Sequence, residues 1–155
     1  MNRFLLFLLL ASSAFAGTIT GVVVGVHDGD TLTLLTAAKE EVKVRLWGID
    51  APEMGQAFGK TSKESLSDLT FKKSAAVEEK GKDRYGRVIG VVLVSGKNVN
   101  LLQVETGMAW WYRDYAKKAK DLEAAQDAAR TKRLGLWADK SPVPPWQWRK
   151  DEKKK

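Results

Sequence analysis

Acidic side chains occur where strands of the predicted sheet begin or end. The segment DGDT at 28–31 is typical of a hairpin turn, where Asp and Gly are common for backbone reasons. That explanation covers the first two residues, but Asp30 lies at the start of the next strand and adds a second carboxylate. The alternating acidic positions stop there, because Leu32 and Leu34 follow, so the segment is not an EF-hand calcium loop. Taken alone, the cluster indicates a tight turn.

Two further clusters combine acids with arginines. The segment RLWGIDAPE at 45–53 runs from Arg45, on the polar face of a predicted strand, to Asp50 and Glu53. Apolar chain leads directly into Asp50, so we expect this carboxylate at the edge of the core. The alternative is a strand end with ordinary surface charges. The segment DRYGR at 83–87 predicts a charged turn, and an exposed turn is the simplest explanation for it in isolation.

Together, the three clusters contain the groups that phosphodiester hydrolysis requires. The carboxylate oxygens of Asp30 and Asp50 can hold Ca²⁺, which prefers oxygen ligands. The planar guanidiniums of Arg45 and Arg87 match phosphoryl oxygens as bidentate donors. Glu53 can activate or position a water next to the metal. The sequence therefore predicts a metal-assisted phosphoryl site.

Composition excludes several other kinds of chemistry. The 155 residues contain no cysteine and a single histidine, His27. A disulfide scaffold, a thiolate metal site, a cysteine nucleophile and any mechanism with two imidazoles are therefore excluded. A hydrophobic content of 44% argues against disorder, and the length suits one domain.

The first sixteen residues have the features of a secretory signal peptide. A basic start at Arg3 precedes an apolar run, and the segment ends in small residues up to Ala16; it is too short to span a membrane as a mature helix. The alternative is an N-terminal anchor or a buried helix. We expect cleavage after Ala16, a secreted or periplasmic protein and no stable membrane insertion. The net charge of +7 becomes +6 without the leader, which suggests a polyanionic partner.

Residue patterns predict five strands and three helices. The strands are predicted at 18–26, 31–36, 42–46, 75–79 and 88–94, and the helices at 58–69, 99–106 and 115–133. Asn98 is predicted to cap the second helix. The side chains predicted to face inward from the third are Leu122, Ala125, Ala129 and Leu134. This order favours a β-rich α+β domain, and a small five-stranded barrel is economical because closure removes the sheet edges.

Five segments in this order resemble the staphylococcal nuclease (thermonuclease) family. They are VHDGDT, VRLWGIDAPE, DRYGRVIG, NVNLLQVETGMA and RLGLW, and they extend over almost all of residues 18–137. The resemblance implies a five-stranded OB-fold barrel with three α-helices at 17–140. It also implies calcium-dependent hydrolysis of DNA and RNA with little sugar specificity and a 5′-hydroxyl leaving group. We expect a monomer.

The resemblance also implies a role for individual residues. Asp30 and Asp50 match the calcium-binding aspartates, and Ala51 stands where a backbone carbonyl completes the protein ligands. The family commonly has threonine at that place, and a carbonyl ligand tolerates the change. Glu53 matches the catalytic glutamate, as general base or as organiser of the water. Arg45 and Arg87 match the two phosphate-binding arginines of the family. Arg84 and Tyr85 align with residues that contact the terminal phosphate and the nucleotide of a bound ligand.

The chain departs from the family pattern in its aromatic residues. Two tyrosines are expected six and eight residues after Gly107. Tyr115 stands at the second place, but Arg113 stands at the first, with Tyr112 beside it. We therefore expect Tyr115 to contact nucleic acid on an altered stacking surface, to which Trp110, Trp111 or Tyr112 could add a ring.

Two other functions compete with a nuclease. A non-catalytic OB-fold module that binds nucleic acid is one, but degenerate modules of this kind lose the acids or arginines that are present here. An oligosaccharide-binding OB domain is the other, and it needs aromatic residues but not this acid–arginine set.

The net charge of +6 lies entirely within residues 113–155. Of these, 141–155 are predicted to form an extended or disordered tail because prolines interrupt helix there.

Overall fold

Five strands close into a barrel in the part of the chain that the computed structural model describes, residues 17–154. The signal peptide predicted at 1–16 lies outside these residues. The barrel strands are β1 Thr18–Val26, β2 Thr31–Thr36, β3 Glu41–Leu46, β5 Ser74–Lys82 and β6 Val88–Val94. Three two-residue strands lie outside the barrel: β4 Ile49–Asp50, β7 Lys97–Asn98 and β8 Trp110–Trp111. The helices are α1 Gly59–Thr70, α2 Val99–Glu105, α3 Lys120–Thr131 and α4 Pro145–Glu152, with a 3-10 turn at Gly135–Ala138.

The barrel is antiparallel except where it closes. The strand order is β3-β2-β1-β5-β6, and a parallel pairing of β3 with β6 joins the two ends, with Val44 opposite Val88. Bulges between Val23 and Gly25 in β1 and between Glu79 and Gly81 in β5 interrupt the register, and such bulges bend strands so that a sheet can close. The predicted α+β class and five-stranded OB-like barrel are confirmed.

β-Branched and leucine side chains form the core. Alternating residues of the long strands point inward, and α1 adds Leu66. Its fully buried members include Val23, Leu32, Leu34, Val44, Leu66, Val77 and Val92. Asn98 caps α2 as predicted, since its side chain accepts from the N–H of Leu101 at 3.0 Å.

The third helix is shorter than the sequence pattern predicts. It begins at Lys120, and Asp121 and Glu123 occupy its first turn. Negative charge is favourable at the start of a helix, whereas an earlier start would place further lysines there. Leu122, Ala125 and Ala129 are buried as expected, but Leu134 is 38% exposed. Arg133 has a φ of 54°, so the chain leaves the helix before Leu134 and the helical spacing no longer applies.

The tail differs from its expected extended or disordered state. Residues Pro145–Glu152 form helix α4. Pro145 begins this helix rather than interrupting it, because the first helical position needs no N–H donor. Trp146 attaches the helix to the barrel domain through its ring contacts with Trp110 and Tyr112. Residues 17–154 therefore contain four α-helices rather than the three predicted. None of the helices in residues 17–154 is both long and apolar enough to cross a membrane.

Candidate active site

Arg45 lies between two buried aspartates at one end of the barrel. Its Nη1 is 3.1 Å from Asp30 Oδ2, and its Nη2 is 2.9 Å from Asp50 Oδ1. The aspartate side chains are only 7% and 2% exposed. Charges so shielded from water interact more strongly than charges at the surface. The structure thus brings together three of the residues that the sequence singled out.

Strand register accounts for this convergence. Thr31 is paired with Arg45 between β2 and β3, and the N–H of Leu46 donates to the carbonyl of Asp30 at 2.8 Å. Arg45 Nη1 also donates to the carbonyl of Ile49 at 3.0 Å. The guanidinium therefore holds the turn that leads from β3 to the second aspartate.

A buried glutamine supports the turn that contains Asp30. Gln103 of α2 is completely buried, and its Nε2 donates to the carbonyls of Gly29 at 2.8 Å and Ser62 at 3.1 Å. This side chain was not among the functional residues predicted from the sequence. A polar residue on the inward face of the helix predicted at 99–106 was the available signal.

Gly29 is required at its position because no side chain fits there. A Cβ atom would lie 1.8 Å from Ser62 Oγ and 2.7 Å from Ala51 Cβ. The turn before β2 therefore packs directly against α1 and against the segment that follows Asp50. This close approach fixes the distance between the two acidic segments.

Burial determines the protonation behaviour of Asp30. Loss of water raises the pKa of this carboxyl from 3.8 to about 7. Arg45 opposes the shift, whereas the charges of Asp28 and Asp50 reinforce it. The N–H of Ala51 donates to Asp30 Oδ2 at 2.6 Å and favours the ionised form. A cation placed beside Asp30 would offset the cost of ionising it.

Glu53 lies next to this cluster and is bound by an arginine from the tail. Arg149 of α4 donates through Nη1 to Glu53 Oε1 at 2.7 Å and through Nη2 to Asp50 Oδ2 at 2.8 Å. Burial lowers the pKa of Arg149, but the hydrogen bonds to Asp50 and Glu53 outweigh it and raise the pKa overall. No sequence pattern indicates this role for Arg149, which is separated from both partners by more than ninety residues.

Arg87 lies apart from this cluster on the turn between β5 and β6. Its Nε is 2.7 Å from Asp83 Oδ2. Burial raises the pKa of Asp83, but hydrogen bonds from Arg87 outweigh it, so the pKa is lowered. Arg84 and Tyr85 are exposed on the same turn, with Arg84 Nη2 2.7 Å from Tyr85 Oη. Across residues 17–154, no hydrogen bond or ion pair joins Arg87 to the three carboxylates described above.

Comparison with known proteins identifies the family. The sequence model described as "Staphylococcal nuclease homologue" matches residues 43–139. The chain belongs to this family. It is 50% identical over 131 residues to an "Uncharacterized endonuclease" of Haemophilus influenzae, a match covering 84% of this chain and 73% of that protein. It is 43% identical over 143 residues to "Micrococcal nuclease" of Shigella flexneri (86% and 82%) and 42% identical over 154 residues to "Protein ParB" of Escherichia coli (93% and 86%).

In this member of the staphylococcal nuclease family, aromatic rings line the side of the site. Tyr115 is 70% exposed, and its ring centroid lies 4.7 Å from that of Tyr112. Tyr112 in turn stacks on Trp146 of α4, with centroids 5.2 Å apart and planes 5° from parallel. Trp111 is buried and donates from its indole N–H to the carbonyl of Ala116, so its ring belongs to the core.

The oxygen donors fit a hard divalent cation such as calcium. Asp30 and Asp50 supply carboxylate oxygens, and Ala51 adds backbone directly after the second aspartate. Calcium takes about six to eight oxygens, so water or substrate would complete the set. Within residues 17–154, no three acidic or histidine side chains form a metal-ligand cluster by themselves. In this structure, Arg45 and Arg149 are the charged partners of the aspartates.

Proposed function

We propose that this protein is a calcium-dependent nuclease that hydrolyses phosphodiester bonds of DNA and RNA with little sugar specificity. The observation that carries the proposal is the convergence of Asp30, Arg45 and Asp50 beside Glu53. Two buried acids, an arginine and a more exposed acid are the groups that metal-assisted phosphoryl transfer uses. The relatives named as nucleases support the same reaction class.

In the proposed mechanism, the aspartates and the Ala51 carbonyl would hold calcium, which would offset the charge that develops on the phosphoryl oxygens. Arg45 is already oriented by both aspartates and donates to the phosphate. Arg87 adds a second contact after it leaves Asp83. Arg84, Tyr85 and Tyr115 are exposed and contact the nucleotide around the scissile bond.

Glu53 is the proposed group that acts on water. Its side chain is 35% exposed, so a water molecule can reach it. The water oxygen attacks phosphorus and its proton passes to Glu53. The bond between phosphorus and the 5′-oxygen breaks, and that oxygen takes a proton from solvent. The products are a 5′-hydroxyl and a 3′-phosphate.

We also propose that the protein is exported and monomeric. Residues 1–16 would direct secretion or transfer to the periplasm, and residues 17–140 would form the nuclease domain. The basic C-terminal region could add salt-sensitive affinity for a nucleic-acid backbone.

Digestion of plasmid DNA and of RNA tests the function. We expect cleavage with Ca²⁺, no cleavage with EGTA, and a loss of about 10²- to 10⁴-fold in rate for Glu53→Gln with binding retained. Glu64→Gln is the matched control, because Glu64 is exposed on α1 and its ion-pair partner among residues 17–154 is Lys60. Cleavage that is unchanged by EGTA would contradict the calcium assignment. Binding without cleavage under every condition would instead identify a binding module.

A further inference from the structure

The C-terminal segment, residues 142–152, lies directly over the proposed active site. Gln56 Nε2, in the loop after Glu53, donates to the carbonyl of Val143 at 2.6 Å. Further along, the Trp148 ring comes close to the same loop, since a Cβ at Gly55 would lie 3.6 Å from it. The segment is therefore attached to this loop at two points, both of which precede Arg149.

Arg149 occupies the acidic part of the site. One guanidinium nitrogen bonds Glu53, and the two nitrogens together reach both oxygens of Asp50, at 2.8 and 3.3 Å. Asp50 is 1% exposed, so few other groups can reach it. A guanidinium and a calcium ion would repel each other at this distance in a shielded site. Arg45 already bonds Oδ1 of Asp50, so Arg149 takes Oδ2, the oxygen that a cation would otherwise use.

Trp146 covers the aromatic surface beside the acids. Its ring lies parallel to Tyr112 with centroids 5.2 Å apart, a geometry that a stacked nucleobase would also adopt. It also contacts Trp110 edge-on at 5.6 Å. The indole therefore takes the face of Tyr112 that would otherwise be available for stacking, immediately next to exposed Tyr115.

We propose that the C-terminal segment is an internal competitor, in which Arg149 takes the place of the cation and Trp146 the place of a base. The proposal rests on the function proposed above. Binding of calcium and nucleic acid requires that the segment leave the site. A segment docked for about nine-tenths of the time would weaken the apparent affinity for calcium about tenfold. The protein would then remain inactive until both ligands are abundant.

Isothermal titration with CaCl₂, in the absence of nucleic acid, tests the competition directly. Arg149→Gln should bind calcium about tenfold more tightly than the unmodified protein. Lys150→Gln is the matched control, because it removes the same charge from an exposed position on the same helix. Trp146→Ala should also raise the affinity, since it releases the segment without changing any charge. Unchanged or weaker binding by Arg149→Gln would overturn the proposal.

Hydrogen exchange gives a second readout that does not depend on activity. Amides of residues 146–152 should exchange faster when calcium is added to the unmodified protein, and faster without calcium in Arg149→Gln. Protection that persists at saturating calcium would show that the segment stays in place and that Arg149 is instead a permanent part of the site. If neither protein binds calcium, the proposed calcium dependence fails together with the competition. If both bind it equally, only the competition fails.

Discussion

Replacing Asp30 by asparagine should stabilise the metal-free protein at pH 8 although it removes a proposed metal ligand. Burial raises the pKa of Asp30 from 3.8 to about 7 against the opposing charge of Arg45. Each tenfold change in proton affinity corresponds to about 1.4 kcal/mol. Ionised Asp30 therefore costs the folded protein up to about 4 kcal/mol relative to the unfolded chain.

The sign follows from which state holds the proton. Between about pH 4 and pH 7 the folded protein keeps a proton on Asp30 that the unfolded chain has released. The contribution of Asp30 to the free energy of unfolding should therefore fall as pH rises through this window. Asparagine has no such charge, so the stability of Asp30→Asn should not show this component.

The asparagine side chain fits the local hydrogen bonds. Its amide oxygen can accept from the N–H of Ala51, as Oδ2 of Asp30 does at 2.6 Å. Its amide nitrogen then faces the Thr31 hydroxyl, 3.2 Å away in the present structure, which can accept as well as donate. The substitution therefore changes the charge without leaving a buried polar group unsatisfied.

Urea unfolding at pH 4, 6 and 8 in EGTA measures the effect. We expect similar stabilities for the two proteins at pH 4 and a gain of about 2–4 kcal/mol for Asp30→Asn at pH 8. Asp127→Asn, an exposed position on α3, should show no such difference. The reasoning is refuted if the variant is the less stable protein at pH 8, since the pairing with Arg45 would then outweigh burial.

Two further substitutions test how the turn before β2 is held. Gly29→Ala should lower the free energy of unfolding by about 1–3 kcal/mol and weaken calcium binding, because a Cβ would lie 1.8 Å from Ser62 Oγ. Urea unfolding would measure the loss of stability, and titration calorimetry would measure the weaker binding. A variant of unchanged stability would contradict the close packing. Gln103→Leu should lower the free energy of unfolding by about 1–3 kcal/mol, because it removes the donor to the Gly29 carbonyl. Cleavage should also slow, because Asp30 shifts. Unaltered cleavage kinetics would show that the amide does not position Asp30.

The long strands were predictable because their information is local. The sequence Val88–Val94 is continuously apolar, and in the structure it is buried over most of its length. The start of α3 was not predictable from apolar spacing alone, because that spacing continues upstream of Lys120. The acidic residues Asp121 and Glu123 in the first turn favour a start at this point.

The proposed metal-binding and phosphate-binding side chains could also be found from sequence, but only some of their partners could. Asp30 and Asp50 lie in recognisable strand and turn patterns. The register between β2 and β3 brings Asp30 to Arg45, and the turn after β3 brings Asp50 to it. Gln103 was overlooked because a polar residue in a helix gives no indication of which carbonyls it will reach.

Residue types and short spacings were sufficient to indicate the α+β class, the barrel and an acid–arginine site, because strand periodicity and turn chemistry are properties of neighbouring residues. The position of Arg149 depended on the folded molecule. Its segment contains prolines and many charges, which indicate a loose tail when considered without the barrel. Only the folded domain supplies the Tyr112 ring and the buried carboxylate of Asp50 that hold this segment in place, since these groups come together through contacts between distant parts of the chain.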